Sequence, residues 1–212
     1  MNGGFEYAAI AIFIAMIMDG LDGRIARWTH TESDFGAEYD SLSDMVSFGA
    51  APALVMYEWA LKSLGRIGWI AAFVYCAGTA LRLARFNTNS AVIDKRYFQG
   101  LPSPAAAALV AGFIWVVDDF KIEAVSTMRW TACIITLFAG ITMVSNIPFY
   151  SFKGINFRRS VPFWAILVVV FAVILISTHP PTVLFLLFVA YSLSGYVVWV
   201  WNRREKRPKP IA

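Results

Sequence analysis

Charged residues and cysteines are scarce in this sequence of 212 residues. Asp, Glu, Lys and Arg together make up 15% of the chain, whereas soluble globular domains carry about 25%. The only two cysteines, Cys76 and Cys133, both lie inside apolar runs. This distribution excludes a disulfide framework and the paired cysteine spacings of a zinc site.

Apolar residues are correspondingly abundant, at 58% of the chain with a mean hydropathy of +0.61. A core of this size cannot hide so much apolar surface, so lipid must be the solvent for part of it. The net charge of +4 does not indicate nucleic acid, because most basic residues lie just beyond apolar runs, as membrane topology places them. One dense basic cluster follows the last run: Arg203, Arg204, Lys206, Arg207 and Lys209.

Seven segments are long and apolar enough to be membrane helices. They lie at residues 5–26, 41–61, 67–83, 104–117, 130–147, 161–176 and 182–201. The sequence therefore predicts an all-α fold, a polytopic membrane helix bundle with about seven transmembrane helices. We expect residues 1–202 to form a single transmembrane catalytic domain and residues 203–212 to form a basic cytoplasmic tail.

Lys and Arg residues are divided unevenly between the links. If the first run ends in the cytoplasm, fourteen of the eighteen lie in cytoplasmic links and the tail, and four lie outside. Cytoplasmic loops of membrane proteins carry an excess of Lys and Arg. The link at 28–39 is thus predicted to be cytoplasmic, and Lys121 is predicted to lie outside.

Four aspartates lie at the cytoplasmic ends of the first two predicted helices. Asp19 and Asp22 are three residues apart and share a helix face, and Asp40 and Asp44 are four apart and share a face of the next helix. The short link at 28–39 joins the two helices antiparallel. The two carboxylate pairs are therefore predicted to meet.

Four carboxylates near lipid repel each other and are costly to desolvate, and divalent cations resolve that conflict. Ligands that are all oxygen point to a hard metal, Mg²⁺ or Mn²⁺. Gly23 leaves room for a bulky ligand beside Asp22, and Arg27 is placed to pair with a phosphate. These residues predict a site at the membrane surface for a substrate that contains pyrophosphate.

The pattern D-x2-D-G-x2-A-R-x8-G-x3-D-x3-D, from Asp19 to Asp44, resembles the signature of the CDP-alcohol phosphatidyltransferase family without a mismatch. The stretches 44–53, 81–87, 97–105 and 143–153 resemble the branch of that family that makes phosphatidylserine. Family members carry a further helix before the first Asp-bearing one, and residues 1–4 resemble the link that follows it. Either the start is truncated or this protein manages without that helix.

The resemblance implies transfer of a phosphatidyl group from CDP-diacylglycerol to L-serine, giving phosphatidylserine and CMP. It implies that Asp19, Asp22 and Asp40 hold the metal ions and that Asp44 touches the metal and acts as general base. The expected CDP-binding residues are Gly23, Ala26, Arg27 and Gly36. It also implies a homodimer. We expect the protein in the cytoplasmic (inner) membrane of a prokaryote, and the division of Lys and Arg predicts that the active site faces the cytoplasm; the charge distribution predicts no nucleic-acid partner.

Serine needs a cation for its carboxylate and an acceptor for its ammonium. Arg82, Arg85 and Asn87 are the candidates on the cytoplasmic side, although both arginines also fit ordinary anchoring at a helix end. Glycerol 3-phosphate or an inositol phosphate is an alternative acceptor on the same scaffold. A membrane protein that binds or transports cations without catalysis is an alternative of another class, and a scaffold without activity is a third.

Overall fold

The computed structural model describes residues 4–29, 31, 33–89, 97–121, 126–150 and 163–205. Within these ranges the chain is almost entirely helical, which confirms the predicted all-α class. The elements are α1 (Phe5–Thr29), α2 (Asp34–Asp44), a π-helical turn (Met45–Ala50), α3 (Ala51–Trp59), a 3₁₀ turn (Leu61–Leu64), α4 (Arg66–Asn89), β1 (Tyr97–Gln99), α5 (Ser103–Asp119), α6 (Ser126–Val144), β2 (Pro148–Tyr150), α7 (Phe163–Thr178) and α8 (Pro180–Glu205).

Each of the seven predicted apolar runs overlaps helical structure within the described residues. Among the described residues, three helical stretches are long and apolar enough to cross a membrane, namely Arg66–Thr88, Thr127–Val144 and Pro180–Trp201. Large apolar side chains on these helices face outward, including Phe73 and Val197, at 57% and 64% exposure. Because water would penalise such surfaces, the molecule is a helical membrane protein. The predicted basic tail lies outside the described residues from residue 206 onward.

Helix α5 lies at the centre of the bundle and packs against α1, α6 and α8. Nearly every residue from Ser103 to Val117 is buried, and many of them are alanine. Small side chains let neighbouring backbones approach closely, which is how membrane helices pack without large apolar side chains between them. The short, Ala-rich run at 104–117 is therefore the core helix. Cys133 is buried on α6, and Cys76 on α4 is partly buried.

The second helix begins earlier than the sequence predicts, at Asp34 rather than at residue 41. The Ser33 side chain caps it by accepting a hydrogen bond of 3.0 Å from the Gly36 N–H. None of the residues of α2 is buried, so this helix has no apolar run that would reveal it. The polar link is consequently much shorter than 28–39, and Asp40 lies well inside a helix.

A π-helical turn at Met45–Ala50 follows Asp44 directly and leads into α3. The fully buried Tyr75 of α4 donates a hydrogen bond of 2.9 Å from its hydroxyl to the Phe48 carbonyl within this turn. Tyr75 thus supplies a side-chain hydrogen bond to a backbone carbonyl where the helical pattern changes. The contact fixes the carboxyl end of α2 against α4.

Two short strands join the links before α5 and after α6. They pair antiparallel, with Tyr97 opposite Tyr150, Phe98 opposite Phe149, and Gln99 opposite Pro148. Phe149 is fully buried against α8 at Gly195, where a Cβ atom would overlap the phenyl ring. The strand pair therefore ties the start of α5 and the end of α6 to α8.

Candidate active site

Helix α1 holds the first two aspartates at its carboxyl-terminal half. Its amino-terminal half is anchored by the buried residues Ala9, Ile12 and Phe13, which pack against α5. Two turns further on, Asp19 is partly buried and Asp22 is exposed. Since α1 is one continuous helix, the packing against α5 also fixes where these two carboxylates lie.

Three of the four predicted carboxylates meet. One oxygen each from Asp19, Asp22 and Asp40 lie within 4.8 Å of one another. Asp40 comes from α2, whose capped start brings it back along α1. The predicted meeting of carboxylates from the first two helices is thereby confirmed.

Asp44, the last residue of α2, is partly buried like Asp19 and does not belong to this group of three. Its carboxyl group forms a side-chain hydrogen bond with Asp19, and Asp40 and Arg82 are its other charged neighbours. All four predicted aspartates thus belong to one connected cluster. Asp44 joins it through Asp19.

This cluster fits a divalent cation. Its donors are all carboxylate oxygens, which hard cations such as Mg²⁺ and Mn²⁺ prefer over zinc. Like charges at this separation also disfavour the ionised form of the group unless a cation neutralises them. The donor set does not distinguish Mg²⁺ from Mn²⁺, because both accept oxygen ligands.

A cleft of about 400 Å³ opens beside the carboxylates, between α1 and α2. Its lining includes Asp22 and Asp40 together with three predicted CDP-binding residues, Gly23, Ala26 and Gly36. A Cβ atom at Gly36 would lie 3.1 Å from the Ser33 Oγ, a tight contact with the side chain that caps α2. The side chain of Arg27 lies outside the described residues, and its role stays a prediction.

The three predicted serine-binding residues lie on α4 and contact three different elements. Arg82 donates from a terminal guanidinium nitrogen to the Ser103 Oγ at 3.0 Å, at the start of α5. Arg85 donates to the Asn146 Oδ1 at 3.1 Å, beyond α6. Asn87 donates to the Ser41 Oγ at 3.1 Å, on α2 between Asp40 and Asp44. Of the two arginines, Arg82 is the charged neighbour of Asp44.

Some residues of the site carry no motif that identifies them. Ser33 caps α2 and lines the cleft. In the sequence, the only indication of this cap is a serine that precedes a polar stretch. Tyr191 lies near Arg82 but belongs to α8, whose sequence is a generic apolar span. Tyr39 also lines the cleft, although a tyrosine near a membrane surface is ordinarily an interfacial anchor.

Comparison with known proteins places the chain in a family. The family model for CDP-alcohol phosphatidyltransferase matches residues 1–142. A Helicobacter pylori (strain J99) protein named CDP-diacylglycerol–serine O-phosphatidyltransferase is 36% identical over 197 residues, covering 93% of this chain and 81% of that protein.

Two further relatives carry the same name. The Methanocaldococcus jannaschii protein is 39% identical over 138 residues, which are 65% of this chain and 61% of that protein. The Mycobacterium leprae protein is 40% identical over 147 residues, 66% of this chain and 48% of that protein. The signature, the carboxylate cluster and these matches agree, and the chain belongs to the CDP-alcohol phosphatidyltransferase family of membrane enzymes.

Proposed function

We propose that this enzyme transfers the phosphatidyl group of CDP-diacylglycerol to the hydroxyl of L-serine, giving phosphatidylserine and CMP. The observation that carries the proposal is the convergence of Asp19, Asp22 and Asp40 beside a cleft lined by the signature residues. The names of the relatives support serine as the acceptor.

The donor half of the site would bind the nucleotide and its pyrophosphate. Gly23, Ala26 and Gly36 lack bulky side chains, which leaves the cleft open to a ligand as large as CDP. Asp19, Asp22 and Asp40 would hold Mg²⁺ or Mn²⁺, which supplies positive charge to the pyrophosphate and to the departing CMP. The diacylglycerol part would remain in the lipid beside the bundle.

The reaction exchanges one bond to phosphorus for another. The serine hydroxyl oxygen attacks the phosphorus that carries diacylglycerol, and the bond from that phosphorus to the oxygen bridging to CMP breaks. CMP leaves with the bridging oxygen and its electron pair. Asp44 accepts the proton of the serine hydroxyl, the role that its position at the edge of the carboxylate group supports.

The acceptor half would lie on the Arg82 side of Asp44. Serine carries one carboxylate and one ammonium group, so one well-placed cation and some acceptors suffice. Glycerol 3-phosphate carries a phosphate instead, which favours a denser group of cations. Arg85 donates a hydrogen bond to Asn146, and Arg82 is the cation beside the proposed base among the described residues.

We further propose that the site faces the cytoplasm of a prokaryotic cell from its inner membrane, and that the enzyme is a homodimer. The uneven division of Lys and Arg supports the orientation. The homodimer rests on family resemblance alone. The single transmembrane catalytic domain at 1–202 stays a prediction as well.

An acceptor panel tests the proposed function. Detergent-purified protein is supplied with CDP-diacylglycerol, Mg²⁺ or Mn²⁺, and one acceptor at a time, and CMP release is measured. We expect fast release with L-serine and far slower release with glycerol 3-phosphate or inositol phosphate. A preference for glycerol 3-phosphate would disprove the serine assignment and leave the enzyme class unchanged.

A further inference from the structure

Helix α2 carries two of the four aspartates but buries very little of its surface. None of its residues is buried, and of its residues only Ser41 and Asp44 are partly buried. A helix with so little buried surface is free to rotate or shift unless other contacts hold it. Because Asp40 must meet the carboxylates of α1, the position of α2 has to be fixed by such contacts.

Two residues of α4 contact this part of the chain on either side of Asp44. The hydroxyl of the buried Tyr75 donates to the Phe48 carbonyl at 2.9 Å, just after α2 ends. The side-chain amide of Asn87 donates to the Ser41 Oγ at 3.1 Å, three residues before Asp44. Since α4 is one continuous helix, the two hydrogen bonds attach the segment to it at two points.

The Ser41 hydroxyl acts both as a donor and as an acceptor. It donates to the Ala37 carbonyl in the preceding turn of α2 at 3.1 Å, and its oxygen accepts the hydrogen bond from Asn87. The hydroxyl therefore joins the backbone of α2 to a side chain of α4. Because Asp40 is the neighbouring residue on the same helix, a displacement of Ser41 would also displace the Asp40 carboxylate.

We propose that Asn87 is a positioning residue, which holds α2 through Ser41 so that the Asp40 carboxylate meets the other metal ligands. This role differs from the serine-binding role that the sequence predicts for Asn87. Replacing residues that hold metal ligands in place commonly weakens metal binding by about 10- to 100-fold. The inference rests on the proposed function in one respect, because it takes the carboxylate group as the metal site.

The test measures metal binding without turnover. Detergent-purified protein without substrate is titrated with Mn²⁺, and free Mn²⁺ is measured by electron paramagnetic resonance. The KM for L-serine is measured separately, from CMP release at saturating metal. A residue that positions the metal ligands changes the Mn²⁺ dissociation constant, whereas a residue that binds serine changes the KM for L-serine.

Asn87→Ala and Ser41→Ala each remove one partner of the hydrogen bond. We expect each change to raise the Mn²⁺ dissociation constant by about tenfold and to leave the KM for L-serine unchanged. The double variant should bind Mn²⁺ no more weakly than either single variant, because all three lose the same contact. Ser41→Thr keeps the hydroxyl and should bind Mn²⁺ like wild type.

Thr88→Ala is the matched control for these variants. Thr88 is the exposed neighbour of Asn87, and its hydroxyl donates to the Ala84 carbonyl of its own helix at 3.1 Å. The change removes a hydroxyl at the same end of α4 without touching the contact to α2. We expect it to alter neither the Mn²⁺ dissociation constant nor the KM for L-serine.

The outcomes separate the inference from the function on which it rests. Normal Mn²⁺ binding by Asn87→Ala and Ser41→Ala would overturn the inference, and so would an equal loss in Thr88→Ala or losses that add in the double variant. In these cases wild-type CMP release with L-serine would still support the proposed function. Wild-type protein that releases no CMP with L-serine would overturn that function, while the Mn²⁺ titration would still decide the role of Asn87.

Discussion

Replacing one carboxylate of the group Asp19, Asp22 and Asp40 should stabilise the metal-free protein. It should also reduce the stability that the protein gains when metal is added. Asp22→Asn is the suitable change, because Asp22 is exposed and Asn keeps an oxygen that can accept the Gly23 N–H hydrogen bond. Asp and Asn also have similar helix propensities. The substitution thus changes charge with little change in shape.

The magnitude follows from the separation of the three carboxylates. Two unit charges 4.8 Å apart repel by about 3 kcal/mol at an effective dielectric constant near 20 and by about 1 kcal/mol in water. Asp22→Asn removes two of the three repulsions. Because exposed charges are screened and can move apart, we expect the lower part of this range, about 1–2 kcal/mol of added stability in metal-free protein.

The assay is thermal unfolding in detergent, in EDTA and then with excess Mg²⁺. Wild-type protein should gain about 2.7 kcal/mol at a metal concentration one hundred times its dissociation constant. Asp22→Asn should melt above wild type in EDTA and gain less from Mg²⁺. Glu38→Gln is the control, since Glu38 is an exposed acid on α2 outside the group of three.

The reasoning would be refuted by an Asp22→Asn protein that melts no higher than wild type in EDTA and gains as much from Mg²⁺. It would also be refuted if Glu38→Gln behaved like Asp22→Asn, because the effect would then be one of overall charge.

Three further predictions concern the base, the cleft and the topology. Asp44→Asn should lower kcat by roughly 10² or more and change CDP-diacylglycerol binding by less than about tenfold; normal turnover would place the base elsewhere. Gly36→Ala should raise the KM for CDP-diacylglycerol, because its Cβ would lie 3.1 Å from the Ser33 Oγ at the edge of the cleft; an unchanged KM would argue against this cleft as the nucleotide site. A cysteine placed at Lys121 should react with an impermeant thiol reagent added from outside, and reaction from the cytoplasmic side alone would reverse the topology.

The carboxylate group was predictable because its geometry is local. Spacings of three and four residues place Asp19 with Asp22, and Asp40 with Asp44, on single helix faces whatever the rest of the chain does. The apolar runs predicted the helices for the same reason, since a long apolar segment has few alternatives in lipid.

The features that could not be predicted from the sequence depend on contacts between distant segments or on helices that are polar and so lack a hydropathy signal. Helix α2 is polar along its length, so its start at Asp34 depends on the Ser33 cap rather than on hydropathy. The π-helical turn is supported by Tyr75, and the Tyr191 hydroxyl reaches the Tyr150 carbonyl only because β2 packs on α8. Such pairings have no short-range signal in a single sequence.

In the proposed reaction the serine hydroxyl itself displaces CMP from the phosphatidyl phosphorus, and an isotope label tests this step most directly. Purified protein is given CDP-diacylglycerol, Mg²⁺ or Mn²⁺, and L-serine labelled with ¹⁸O in the hydroxyl, and both products are analysed by mass spectrometry. We predict that the lipid product carries the label and that unlabelled CMP forms in equal amount. CMP released without a labelled lipid, or a label recovered in CMP, would contradict the account.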